Sequence, residues 1–179
     1  MDESAQTSPP AAPSRTVLVV DDEEHVRIAL GRVLEGAGYT VLAVERGEEA
    51  LELLQKHPIK LLISDYNMPG ISGIELFKEV KQRYPHVLRI MLTGARDPGL
   101  AIRSINEAEV YRFIQKPWNN AELCTIVRLA FEVIVLEDEK RALLEIVRRY
   151  REARSRGETS TPEADSELLL LAEADLVGG

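Results

Sequence analysis

Along the chain, short runs rich in aliphatic and β-branched residues alternate with stretches in which apolar positions recur every three or four residues. Residues 16–20, 40–44, 59–64, 87–93 and 110–115 are runs of the first kind, the pattern of strands buried on both faces. The intervening stretches read as helices. Val26, Ala29, Leu30, Val33 and Leu34 mark the first, which Gly36-Ala37-Gly38 stops. Others are expected around 48–56, closed by Pro58, around 74–84 and, in short form, around 100–106. This alternation predicts an α/β fold, a doubly wound five-stranded parallel sheet with helices on both faces.

The last helix begins near Asn119, which can cap it, with Glu122 three residues on as in a capping box. It runs further than covering a sheet requires. Ile126, Leu129, Val133, Leu136, Leu143, Val147 and Tyr150 follow alternating spacings of three and four, with Lys140 and Arg154 at the remaining seam positions. About four heptads of this pattern suggest a coiled coil. Past Glu137 no sheet is left to cover, so a partner or a second copy is the expected contact. The expected organisation is a disordered, Pro-, Ala- and Ser-rich segment over 1–14, one α/β domain over 15–135, a helical extension over 136–156 and an acidic flexible tail over 157–179.

With 179 residues the chain has room for one domain with a real core plus appendages. Its formal net charge of -8 works against nonspecific binding to nucleic acid or anionic membrane, so neither DNA nor membrane is an expected partner, and a basic protein surface suits it better. The single Cys124 leaves no intramolecular disulfide, and no apolar run approaches the roughly 20 residues that span a bilayer. With no secretory pattern at the N-terminus, the cytoplasm is the expected compartment. His25, His57 and His86 lack a spacing that makes a metal site. Arg148, Arg149, Arg151, Arg154 and Arg156 cluster at a helix end, where cations complement the helix dipole. Trp118 is suited both to anchoring a partner and to covering its own loop.

Four of the strand runs end in residues that carry chemistry: Asp21-Asp22, Asp65, Thr93-Gly94 and Lys116-Pro117. In an open parallel sheet the ligand crevice lies outside the carboxyl ends of the strands, so these termini should converge. Asp65, at the rim of a buried strand, occupies a position suited to a nucleophile. A phosphoryl group arriving there needs a hard divalent cation with oxygen ligands, such as Mg²⁺. Asp22 and Asp65 can each supply a carboxylate oxygen, Asn67 a backbone carbonyl, and Asp21 can hold a coordinated water. Lys116 and Thr93 offer a point charge and a hydroxyl to the remaining phosphoryl oxygens.

The order Asp21-Asp22, Asp65 with Met68-Pro69 after it, Thr93-Gly94 and Lys116-Pro117 resembles the receiver domain of two-component response regulators, over roughly residues 15–135. The resemblance implies a flavodoxin/CheY-like fold and Mg²⁺-dependent transfer of phosphate from the histidine of a sensor kinase or phosphotransfer protein to Asp65. It also implies a switch in which Thr93 turns toward the phosphate and Phe113 takes the place of the switch aromatic. Phenylalanine lacks the hydroxyl of the tyrosine often found there. A cis peptide at Lys116-Pro117 is a further implication.

Three functions are then open. The first is a regulator that accepts phosphate on Asp65 and signals by protein contact through its last helices. The second is a phosphate shuttle or sink in a multistep phosphorelay. The third is an enzyme with an aspartyl-phosphate intermediate, against which stands Asn67, where a general acid would require aspartate. In a parallel homodimer Glu132 would face Glu137 across the interface, and Lys140 would face its own copy, so a weak homodimer or none is expected before phosphorylation.

Overall fold

The computed structural model describes residues 15–94 and 109–156. The segments 1–14 and 157–179 and the short helix expected around 100–106 lie outside the described residues. The elements run β1 (Thr16–Val20), α1 (Glu24–Gly36), β2 (Thr40–Val44), α2 (Gly47–Lys56), β3 (Leu61–Asp65), α3 (Gly73–Arg83), β4 (Leu88–Thr93), β5 (Arg112–Gln115) and α4 (Asn120–Ser155). All five strands are parallel in one sheet, in the order β2-β1-β3-β4-β5. This is the doubly wound parallel sheet that the alternation of runs and helices predicted, in the flavodoxin/CheY-like arrangement that the resemblance implied. Strand order reverses between β1 and β3, and a crevice opens at the carboxyl ends of such neighbours.

Side chains of the central strands alternate between two cores, as a period of two demands. Val17, Val19, Leu61, Ile63, Ile90 and Leu92 meet Leu30 and Leu34 of α1 and Leu123, Val127 and Phe131 of α4 on one face. Leu18, Val20, Leu62 and Met91 meet Leu54 of α2 and Leu76, Phe77 and Val80 of α3 on the other. Each such fully buried side chain contributes about 1.5–3 kcal/mol of burial free energy. β3 is buried throughout, whereas the edge strand β2 is half-exposed or exposed at every position, which sets the centre of the sheet beneath Asp65.

Local signals start the helices. The Ser72 hydroxyl accepts from the Glu75 amide while the Glu75 carboxylate accepts from the Ser72 amide, a reciprocal cap on α3. Asn119 Oδ1 accepts from the amides of Ala121 and Glu122, as expected for α4.

The face of α4 turned to the sheet differs from the heptad seam. Leu123, Val127, Ala130, Phe131 and Ile134 are buried there, whereas Ile126 and Val133 are half-buried and Leu129 is 39% exposed. Packing on a sheet selects a broad stripe at a period of 3.6, and the seam at 3.5 runs beside it. The chain divides into two compact units between Val135 and Leu136. Leu136, Leu143 and Leu144 of the second unit are all more than half exposed.

A buried cation interrupts the apolar run of β4. Arg89 donates to the carbonyls of Val87 and Glu109, at 2.7 and 3.3 Å, and lies 3.7 Å from the Glu109 carboxylate, which also pairs with Lys81. It lies at the amino end of β4, the end opposite Thr93.

Candidate functional site

The carboxyl ends of β1, β3 and β5 bring three side chains into direct contact. Asp21 directly follows the last residue of β1 and is fully buried. Its amide continues the sheet by donating to the Val44 carbonyl, and its Oδ1 accepts from the Glu23 amide at 3.0 Å. Arg27 of α1 donates to its carbonyl at 2.6 Å, tying the strand end to the helix that follows. Asp65, the last residue of β3, is also buried, and its Oδ2 accepts from the Asn67 amide at 2.9 Å. Lys116, just past β5, reaches both: its Nζ lies 2.7 Å from Asp21 Oδ2 and 2.7 Å from Asp65 Oδ1. Glu23 adds a weaker contact at 3.5 Å.

Burial pushes the Asp21 carboxyl above its ordinary value, and the nearby Asp65 charge acts in the same direction. The hydrogen bonds from Lys116 and the Glu23 amide only partly offset this. For Lys116, burial favours loss of the proton, but the hydrogen bonds to Asp21 and Asp65 and their charges prevail and raise it above the usual lysine range. The result is an ammonium held firmly between two carboxylates.

The remaining residues expected at the site lie around this trio. Asp22 and Asn67 are exposed. Thr93 closes β4, half-buried; its hydroxyl donates to the Gly94 carbonyl at 3.0 Å, and its own carbonyl accepts from the Lys116 amide at 2.8 Å. Its backbone is thus tied to the lysine while its hydroxyl is spent locally. Phe113 is half-buried against the core shared with α2 and α3, and the Lys116-Pro117 bond is cis.

The donor set is all oxygen, which fits a hard cation such as Mg²⁺ and not a soft one. Asp21, Asp22, Asp65 and the Asn67 carbonyl are the groups that would hold it. Among the described residues no three or more His, Cys, Asp and Glu side chains are grouped so as to hold a metal ion by themselves.

Gly73 is a part of the site that the reading of the sequence did not single out. A Cβ there would lie 2.0 Å from the Asp65 carbonyl oxygen, so only glycine lets α3 start this close to the end of β3. The Gly73 amide donates to the Tyr66 carbonyl at 3.0 Å and fixes the turn behind Asp65. The one available signal was a glycine directly after the Ser72 cap.

The site is thus an acidic pair from two adjacent strand ends, bridged by a lysine from a third. Residues 17–128 match the response regulator receiver domain family, and the chain belongs to that family. It is 40% identical over 128 residues to the hydrogenase transcriptional regulatory protein HoxA of Cupriavidus necator, a match covering 72% of this chain and 26% of that protein. It is 36% identical to the DNA-binding transcriptional regulator NtrC of Escherichia coli K12, over 64% of this chain and 24% of that one. The signal receiver domain of an HD domain-containing protein from Pseudomonas fluorescens Pf-5 superposes with a TM-score of 0.69 at 33% identity, covering 74% of this chain and 98% of that one. The chain therefore carries a receiver domain homologous to those of HoxA- and NtrC-type response regulators, and its match spans about a quarter of their length.

Proposed function

We propose that the chain accepts a phosphoryl group on Asp65 from the phosphohistidine of a sensor kinase or phosphotransfer protein and signals by a phosphorylation-dependent protein contact. The observation that carries this is the 2.7 Å contact of Lys116 with Asp65, beside a second buried carboxylate, Asp21. Attack by an Asp65 carboxylate oxygen forms an O–P bond as the N–P bond to imidazole breaks, and the imidazole leaves with the electron pair. The Lys116 ammonium counters the charge that gathers on the phosphoryl oxygens, and the Asn67 amide orients the Asp65 carboxylate through Oδ2. Mg²⁺, when bound, would supply the remaining charge neutralisation. Asp22 and the Asn67 carbonyl are our ligands for it, with Asp65 itself, and Asp21 holds a coordinated water.

In this reading Thr93 is the switch: its hydroxyl leaves the Gly94 carbonyl for a phosphoryl oxygen, and Phe113 follows by repacking. Output runs through the last helix. The net charge of -8 supports a protein partner over DNA for these residues, and no helix among the described residues is long and apolar enough to cross a membrane. The proposed segments are the receiver over 15–135, a helical extension over 136–156, a flexible acidic tail over 157–179 and a disordered segment over 1–14.

The test is capture of cellular partners by wild type and Asp65→Asn, each with and without a small phosphodonor. A partner retained only by the phosphorylated wild type supports signalling by contact. Phosphate passing onward to a histidine protein, with no phosphorylation-dependent partner, would make the chain a relay shuttle instead. Thr93→Ala should accept phosphate yet lose the phosphorylation-dependent partner; unchanged partner binding would remove Thr93 from the switch.

A further inference from the structure

The second unit of the chain exposes more apolar surface than a lone helix of this length sustains in water. Leu136 is 63% exposed, Leu143 55%, Leu144 60% and Val147 38%. Within α4, Leu143 and Val147 lie on the heptad seam, and Leu144 and Ile146 flank it on either side, so the stripe is four residues wide, with Glu145 at the same level on the opposite face. A face of that width belongs against another helix.

Charge along the same helix is uneven. Glu137, Asp138 and Glu139, with Lys140 and Arg141 after them, precede the wide stripe, and Arg148, Arg149 and Arg151, with Glu152, follow it. Most of these charges are answered within the helix: Lys140 pairs with Glu137 at 3.4 Å, Arg141 with Asp138 at 3.0 Å, and Arg148 and Arg149 with Glu145 at 2.8 and 3.4 Å. Arg151, beside the seam residue Tyr150, makes no ion pair among the described residues.

We infer that this face docks a second copy of the chain in antiparallel orientation, centred on Glu145, with Glu137 of each copy beside Arg151 of the other. In that register Leu143 lies against Val147 of the second copy, Leu144 and Ile146 each meet their own counterparts, and the whole wide stripe is covered. Lys140 lies against Tyr150 of the second copy, where its stem covers the ring and its ammonium reaches solvent or the ring face. A parallel pair on the same seam puts Glu132 beside Glu137 and Lys140 against itself. The antiparallel register removes both oppositions and gives Glu137 and Arg151 opposite charges across the interface. It is the arrangement in which apolar width and charge agree.

The overlap is short, so the interface stays below the roughly 1,200 Å² that separates weak from stable association. The pairing uses only residues of the extension and holds whether or not Asp65 accepts phosphate. Sedimentation of the full chain tests it. Wild type should be mostly monomer at roughly 10 µM and substantially dimer at roughly 500 µM in low salt. Glu137→Lys alone and Arg151→Glu alone should each weaken the dimer about tenfold, since each disturbs two symmetric pairs, and the two together should restore it. Both positions are exposed on the helix, and the restored double variant also shows that the fold is intact. A dimer strengthened by Glu137→Lys means parallel pairing, because Glu137 would then have lost a repulsion, and overturns the inference. A monomer at all concentrations overturns it too and leaves the face to a different partner.

Discussion

Asp21 is fully buried beside a lysine, and burial still prevails over the ammonium in holding its carboxyl above the ordinary value of 3.8. The native state then binds this proton more tightly than the unfolded chain, so stability falls as pH rises from 3.8 through the folded-state value. Lys116 works in another window: its raised value means that its ion pairs contribute fully below 10.5 and are lost as pH climbs through the folded-state value above that. In metal-free buffer Asp21→Asn should be more stable than wild type at neutral pH, with the gap closing below pH 3.8. Chemical denaturation across that range checks this, and a variant less stable than wild type at pH 7 would mean that the Lys116 pair outweighs burial. Asp22 is the opposite case, exposed and free to meet a cation with little desolvation. Asp22→Ala should therefore weaken Mg²⁺ binding by at least about tenfold, and more than Asp21→Ala does. Equal losses in a metal titration would reverse or merge the two assignments.

Elements differ in how much of their role can be read from residue order. β1 and β3 were legible because Val17-Leu18-Val19-Val20 and Leu61-Leu62-Ile63-Ser64 are unbroken runs, which need cover on both faces. The acidic and basic strand ends were legible for the same reason, since a buried strand delivers its last polar residue to the rim. The packing face of α4 was not. Apolar residues occupy both the 3.5 and the 3.6 stripes of that helix, and only the sheet decides that Val127 and Phe131 go inside while Leu129 stays out. Arg89 was hidden in an otherwise apolar run, because its partner Glu109 is distant in sequence. Gly73 was illegible because its constraint is a tertiary approach to the Asp65 carbonyl. Gly73→Ala should destabilise the domain by about 2–4 kcal/mol and slow phosphorylation of Asp65, since the turn behind that residue must move. Urea denaturation with a wild-type midpoint would show that the α3 start yields easily.

At the scale of the molecule, the sheet gathers the chemistry at the carboxyl ends of its strands. Asp21, Asp65 and Lys116 sit at strand ends anchored in two cores, so their spacing is set by the fold, whereas Thr93 and Phe113 are half-buried. Phe113 packs on the α2 and α3 side of the sheet, whereas α4 covers the other side. The proposed signalling depends on Asp65 being the acceptor. Incubation with a small phosphodonor and Mg²⁺, followed by intact-mass measurement and peptide mapping, tests that most directly. One phosphoryl group per wild-type chain is expected, on the peptide carrying Asp65, and none on Asp65→Asn; stoichiometric label retained by that variant, on any residue, would rule Asp65 out as the acceptor.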